Sequence, residues 1–210
     1  MHILVFGDSI TYGAWDERGG WAQRLREYID KKNLHDKGFY CLVYNLGISG
    51  DTTKEILSRF ENETKSRLED EKDHIFIFSI GTNDCLLLNK EKKMQVEEKQ
   101  FERNIGKIIE IASKFSGKIF FTGLTPVDES KMNPLPWAPQ FSAKNEYIEK
   151  YDGIIKSICT KKKIHFIEIY GHFKKGNYKS LLKDGDHPTS EGHAKIYEIV
   201  KDYLVKEKII

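Results

Sequence analysis

A parallel α/β sheet covered by helices on both faces is the fold this sequence predicts, and three observations predict it. Short apolar runs rich in β-branched residues alternate along the chain with longer segments of helical period. One of those runs, Ile75–Ile80, is continuously apolar, as a strand buried on both faces requires. No internal repeat or linker interrupts the alternation, so residues 1–210 read as a single domain with a full core.

The elements follow in order. Ile3–Phe6 is the first strand, and Trp21, Leu25, Tyr28 and Ile29 share one face of the helix after it. Phe39–Tyr44 is the second strand. Thr52 and Glu55 then form a capping box ahead of Ile56, Leu57 and Phe60. Ile75–Ile80 is strand three, and Phe101, Ile105, Ile108, Ile109 and Ala112 mark the next helix. Lys118–Thr122 is strand four, Tyr147 to Ile158 stripe a helix, and Ile164–Ile167 is strand five. The last helix starts near Ser190 and turns Ile196, Tyr197, Val200, Tyr203 and Leu204 inward. Cys85–Glu97 and Thr125–Phe141 fit no element; the second holds Pro126, Pro134, Pro136 and Pro139 and is expected to be a loop.

Composition excludes several classes. Lys and Arg total 34 against 32 Asp and Glu, so no general attraction to nucleic acid or anionic membrane is expected. No apolar run reaches transmembrane length, and MHILVFGDS carries no basic leader or cleavage site. Cys41, Cys85 and Cys159 are odd in number and scattered, which suits reduced thiols. A cytoplasmic location is therefore expected. His165, His172, Asp186 and His193 have no metal-site spacing and are read as surface or capping residues. There is no GxGxxG, Walker loop or GxSxG, so no cofactor, metal or nucleophile elbow is expected.

Chemistry-bearing residues cluster where strands end. In a parallel α/β sheet, ligands bind at the carboxyl ends of the strands. Gly7-Asp8-Ser9 follows strand one, Asn45 to Gly50 follows strand two, and Gly81-Thr82-Asn83-Asp84 follows strand three. Asp184-Gly185-Asp186-His187-Pro188 precedes the last helix. Acyl transfer needs a nucleophile, a base, an orienting carboxylate and oxyanion donors. Ser9 supplies the first and His187 the second. Asp184 is preferred to Asp186 as the third, because a turn folds position i−3 back onto the ring while an adjacent side chain points away. Gly47 and Ser9 offer backbone amides and Asn83 its side-chain NH₂ for the oxyanion. Asp8 and Asp84 are expected to hold loop backbone by hydrogen bonds.

Four blocks, FGDSITYG, NLGISGDTT with its Gly47, GTND and DGDHP, in that order and over nearly the whole chain, resemble those of the SGNH, or GDSL-type, hydrolases. The one departure is Ile10, where the commonest first block has Leu. The resemblance implies a three-layer α/β/α, flavodoxin-like fold with a five-stranded parallel sheet ordered 2-1-3-4-5. It implies Ser9 as nucleophile, His187 as base, Asp184 as its partner, an oxyanion hole of Ser9, Gly47 and Asn83, and no cofactor. The expected activity is cleavage of small or short-acyl carboxylic esters through an acyl-enzyme. Acyl thioesterase or carbohydrate O-deacetylase activity with the same residues is the alternative; a non-catalytic binding module is a third reading, which should have lost one of these residues. Leu86–Leu88, Met94, Met132, Leu135, Trp137 and Phe141 either line an acyl pocket or pack the loops. Trp15 either stacks on a sugar or covers the core. The partner is a small-molecule ester; the oligomeric state is not encoded in any visible pattern.

Overall fold

The computed structural model describes residues 1–68 and 73–210. The chain runs through β1 (His2–Gly7), α1 (Ser9–Tyr12), α2 (Gly20–His35), β2 (Leu42–Gly47), α3 (Thr53–Lys65) and β3 (His74–Ser79). It continues through β4 (Leu87–Leu88), β5 (Lys93–Met94), α4 (Glu98–Ala112), β6 (Lys118–Thr122) and β7 (Phe141–Ser142). Then come α5 (Asn145–Lys162), β8 (His165–Ile167), α6 (Tyr170–Lys174) and α7 (Ser190–Lys206). Among the described residues, five strands pair in parallel in the order β2-β1-β3-β6-β8. With the two-residue strands set aside, this is the expected order 2-1-3-4-5, in a three-layer α/β/α arrangement.

Strand alternation sorts the core into two halves. Leu4, Phe6, Phe76, Phe78 and Phe121 face Ile56 and Phe60 of α3, Phe101 and Ile105 of α4, and Ile148 and Tyr151 of α5. Ile3, Val5, Ile75, Ile77 and Phe120 face Trp21, Leu25 and Ile29 of α2 and Ile196 and Val200 of α7. The Thr52–Glu55 capping box is present at the start of α3.

Two readings of the sequence need correction. Strand two begins at Leu42 rather than Phe39. The Asn33 side chain takes both the amide and the carbonyl of Cys41, at 2.9 and 2.7 Å, and the Phe39 amide closes a turn onto the Asp36 carbonyl. Backbone committed to these bonds cannot join the ladder. The two unassigned stretches, in turn, contain β4, β5 and the start of β7, which form a small antiparallel sheet in the order β5-β4-β7. Asn89 strengthens it: its amide donates to the Gln140 carbonyl, its Nδ2 to the Pro139 carbonyl, and its Oδ1 accepts from the Ser142 hydroxyl.

The small sheet is tied to the main body by Tyr151 of α5, whose buried hydroxyl donates to the Val96 carbonyl at 2.5 Å. Tyr151→Phe is expected to lower stability by about 1–2 kcal/mol by leaving that carbonyl unpaired. The urea midpoint should fall at unchanged slope. A midpoint equal to wild type would show that this bond contributes nothing to the attachment.

Candidate active site

Ser9 is the first residue of α1, directly beyond the end of β1. Asp8 caps that turn, its Oδ1 accepting the Ile10 amide at 3.0 Å, and Ser9 lies buried with its Oγ 2.9 Å from His187 Nε2. His187 comes from the turn before α7. There Asp184 Oδ1 accepts the amides of Asp186 (3.1 Å) and His187 (2.9 Å), so the chain folds back on itself and Oδ2 comes to 2.7 Å from His187 Nδ1. The structure thus brings Ser9, His187 and Asp184 into one hydrogen-bonded line. Asp186, the sequence alternative for the carboxylate, does not take the ring's Nδ1, which pairs with Asp184; its buried Oδ1 has no partner among the described residues.

The charges are consistent with that line. Burial works against ionising Asp184, but the hydrogen bonds from the His187 side chain and amide outweigh it and hold its pKa at about 2. Burial also opposes a charge on His187. The bond to Asp184 and the negative fields of Asp186, Asp184 and Asp8 prevail, so its pKa is raised above 6.5. An ionised Asp184 accepts the Nδ1 proton, which assigns the Nε2 lone pair to the Ser9 hydroxyl.

Donors surround the same point. Asn83 Nδ2 gives one N–H to the Asp51 carbonyl at 2.9 Å, which fixes the amide, and the residue lines the cavity beside Ser9. The Ser9 amide has no acceptor among the described residues. Gly47 does not join them. Its amide donates to Asn45 Oδ1 at 3.0 Å, and the residue packs against α1 so closely that a Cβ would lie 2.3 Å from the Tyr12 nitrogen. Gly50, three residues on in the same NLGISGDTT block, lines the cavity instead, with φ +86° and an amide without an acceptor among the described residues. The sequence expectation for Gly47 thus fails on its amide, which is taken by a side chain two residues earlier, a bond that leaves no trace in composition or period. No sequence pattern marked Arg59 of α3, which bridges Asp51 Oδ2 (2.7 Å) and the carbonyls of Leu46 (2.8 Å) and Gly7 (3.2 Å).

A cavity of about 380 Å³ opens at Ser9. Leu86, Leu135, Trp137, Ala138 and Phe141 form its apolar wall, and these residues come from the two stretches that build the small sheet. Met132 is fully buried and packs the core, as does Met94 in part, so the loop side chains divide between the two expected roles. Trp15 and Trp137 stay exposed at the mouth, with ring centres 5.8 and 5.5 Å from that of His187.

Beneath the site lie three buried carboxyls, Asp8, Asp84 and Asp186. As expected, Asp8 and Asp84 hold backbone: Asp84 accepts the Thr53 amide and hydroxyl at the start of α3. Burial is the main cause that raises Asp8 and Asp84 each to about 7, and the charges of Asp186 and Asp84 add to it at Asp8. Among the described residues, no group of three or more His, Cys, Asp and Glu is placed to hold a metal ion. His193, expected at the surface or as a cap, is instead fully buried, and burial lowers its pKa to about 4. No helix among the described residues is long and apolar enough to cross a membrane.

Residues 5–195 match the GDSL-like Lipase/Acylhydrolase family. The chain belongs to that family of ester-cleaving hydrolases. Esterase TesA of Pseudomonas aeruginosa is 25% identical over 199 residues, covering 94% of this chain and 85% of the relative. The crystal structure of a GDSL-like lipase from Bacteroides thetaiotaomicron superposes with a TM-score of 0.70 at 24% identity, covering 98% of this chain and 88% of the other. An acetyl xylan esterase from Geobacillus stearothermophilus, Axe2-W215I, gives a TM-score of 0.72 at 19% identity, over 95% of this chain and 92% of the other.

The buried acids carry a pH signature. A carboxyl with a folded pKa of about 7 against 3.8 stabilises the fold below pH 4 relative to higher pH, and that contribution is lost as pH rises through 7. Asp8→Asn keeps an oxygen for the Ile10 amide and removes the charge. Its unfolding midpoint should gain on wild type progressively between about pH 4 and 8. Melting curves that run parallel across this range would show that Asp8 titrates normally.

Proposed function

We propose that the chain is a serine hydrolase acting on small or short-acyl carboxylic esters, with Ser9 as nucleophile, His187 as general base and acid, and Asp184 as the partner that orients the imidazole. The observation that carries this reading is the line from Ser9 Oγ through His187 to Asp184, with steps of 2.9 and 2.7 Å. Ser9 Oγ attacks the ester carbonyl carbon while its proton passes to Nε2. The carbonyl oxygen takes up the negative charge and is met by N–H groups of Ser9, Gly50 and Asn83. Gly50 replaces Gly47 in this assignment because its amide is unspent and lines the cavity. His187 then hands the proton to the alcohol oxygen as the C–O bond breaks. Water enters by the reverse sequence and frees the acid and Ser9.

The wall of Leu86, Leu135, Ala138 and Phe141 supports an apolar acyl group of modest size in a cavity of about 380 Å³. A second reading, removal of acyl groups from a carbohydrate, is favoured by the exposed indoles of Trp15 and Trp137 at the mouth and by the likeness to an acetyl xylan esterase. It uses the same residues and differs only in the alcohol released.

Hydrolysis of p-nitrophenyl esters from acetyl to palmitoyl tests the reading. Rates should peak at short chains and vanish in Ser9→Ala, which should also lose labelling by a fluorophosphonate. Full turnover by Ser9→Ala would remove the serine mechanism, and rates climbing steadily to palmitoyl would remove the short-acyl assignment. Asn83→Ala should lower kcat by about 10²–10³ with a smaller change in KM, since its N–H acts on the developing charge. An unaltered kcat would take Asn83 out of the oxyanion site.

A further inference from the structure

The loop between α1 and α2 presents Trp15 to the solvent side of the catalytic turn. Its indole Nε1 lies 3.0 Å from Asp184 Oδ2 and 3.2 Å from His187 Nδ1. Nδ1 already carries the proton that Asp184 accepts, so only the carboxylate oxygen is an acceptor for the indole N–H. Asp184 Oδ2 thus receives two donors, the imidazole and the indole, while Oδ1 receives two backbone amides.

Holding Trp15 there is costly. It is a non-glycine residue at φ +65°, and 66% of its surface stays exposed. The fold nevertheless fixes the loop from both ends. The Ser9 carbonyl accepts the amides of Gly13 and Ala14, both at 3.0 Å. Asp16 takes the Gly20 amide at 3.0 Å and forms a buried ion pair with Arg24. Arg24 Nη2 in turn donates to the Ser190 hydroxyl at 2.8 Å, at the start of the helix that follows His187. The indole is therefore referenced to the backbone of the proposed nucleophile and to the helix behind the proposed base.

We propose that Trp15 is a positioning residue: its indole N–H locks the Asp184 carboxylate from the open side and so fixes the orientation and basicity of His187. This rests on the proposed serine mechanism. Without the indole N–H, Oδ2 keeps one protein donor and faces water, since the Asp184 side chain is 26% exposed. The carboxylate then places more negative charge on the imidazole and holds it less firmly. The other charged or titratable groups facing His187 are Asp186 of its own turn, Asp8 at the end of β1 and His193 of α7, and the substitution touches none of them.

Trp15→Phe keeps an aromatic ring and removes the donor. Its kcat should fall about tenfold, the effect of one hydrogen bond to a charged group, with KM little changed. The acid limb of its kcat/KM profile should move to higher pH. In an NMR titration the His187 ring should also titrate at higher pH than in wild type, and its Nδ1 proton resonance should shift. That titration needs no turnover, so it tests Trp15 even if Ser9→Ala shows the serine mechanism to be wrong. An unmoved His187 titration with wild-type kcat would overturn the proposal. So would a change confined to KM, which would make Trp15 a substrate contact instead.

Discussion

Everything at this site depends on how closely α1 is laid over the ends of β1 and β2. Gly7 and Gly47 are register partners there, and neither has room for a side chain: a Cβ on Gly7 would sit 2.1 Å from Thr11 Oγ1, and one on Gly47 2.3 Å from the Tyr12 nitrogen. Two bare backbones let the chain turn from strand to helix within one residue, which puts Asp8 into the interior and Ser9 toward His187. Arg59 then closes the arrangement from below by bonding the carbonyls of Gly7 and Leu46 together with Asp51. Asp51 in turn offers its own carbonyl to Asn83. The strand ends, the proposed nucleophile and one proposed oxyanion donor thus belong to one tightly bonded unit.

The same tight turn places carboxyls where water does not reach. Asp8, Asp84 and Asp186 are buried beside an imidazole that is itself buried, and the fields of Asp186 and Asp8 favour its protonated form. In the proposed acyl transfer the neutral imidazole becomes imidazolium as the oxyanion forms, so a field that favours the imidazolium stabilises that charge-separated state more than the bound ester. The acids bear a desolvation cost in the fold, and their hydrogen bonds to Ile10 and Thr53 recover part of it.

Much of this was legible in the sequence because the information is local. The capping box was legible in Thr52 and Glu55 and the Asp184–His187 pairing in the reach of an i−3 turn, while the strand order came as an implication of the family resemblance that the four blocks carry. What was not legible depends on partners distant in sequence or on backbone accounting. The start of β2 is set by Asn33, eight residues upstream of the Cys41 it satisfies. Gly47 was separated from Gly50 only by the destination of one N–H. The strands β4, β5 and β7 are two residues long, too short for any period to show, and β7 joins the sheet only because Phe141 and Ser142 pair with the distant Leu88 and Leu87. His193 reads as a surface residue until α7 is seen to bury it against α2.

That pairing of distant segments has an evolutionary corollary. The cavity wall is carried on Leu86, near β4, and on Leu135 to Phe141, before and into β7, and the register Leu87↔Ser142 couples them. An insertion on one side shifts that half of the wall against the other, so lineages that retain this pairing should change what fits the cavity by compensating substitutions in the two segments. The segments that carry Ser9 and Asn83, beyond the ends of β1 and β3, lie outside this pairing. Selection can thus reshape what fits the cavity while the geometry of Ser9 and His187 is inherited unchanged.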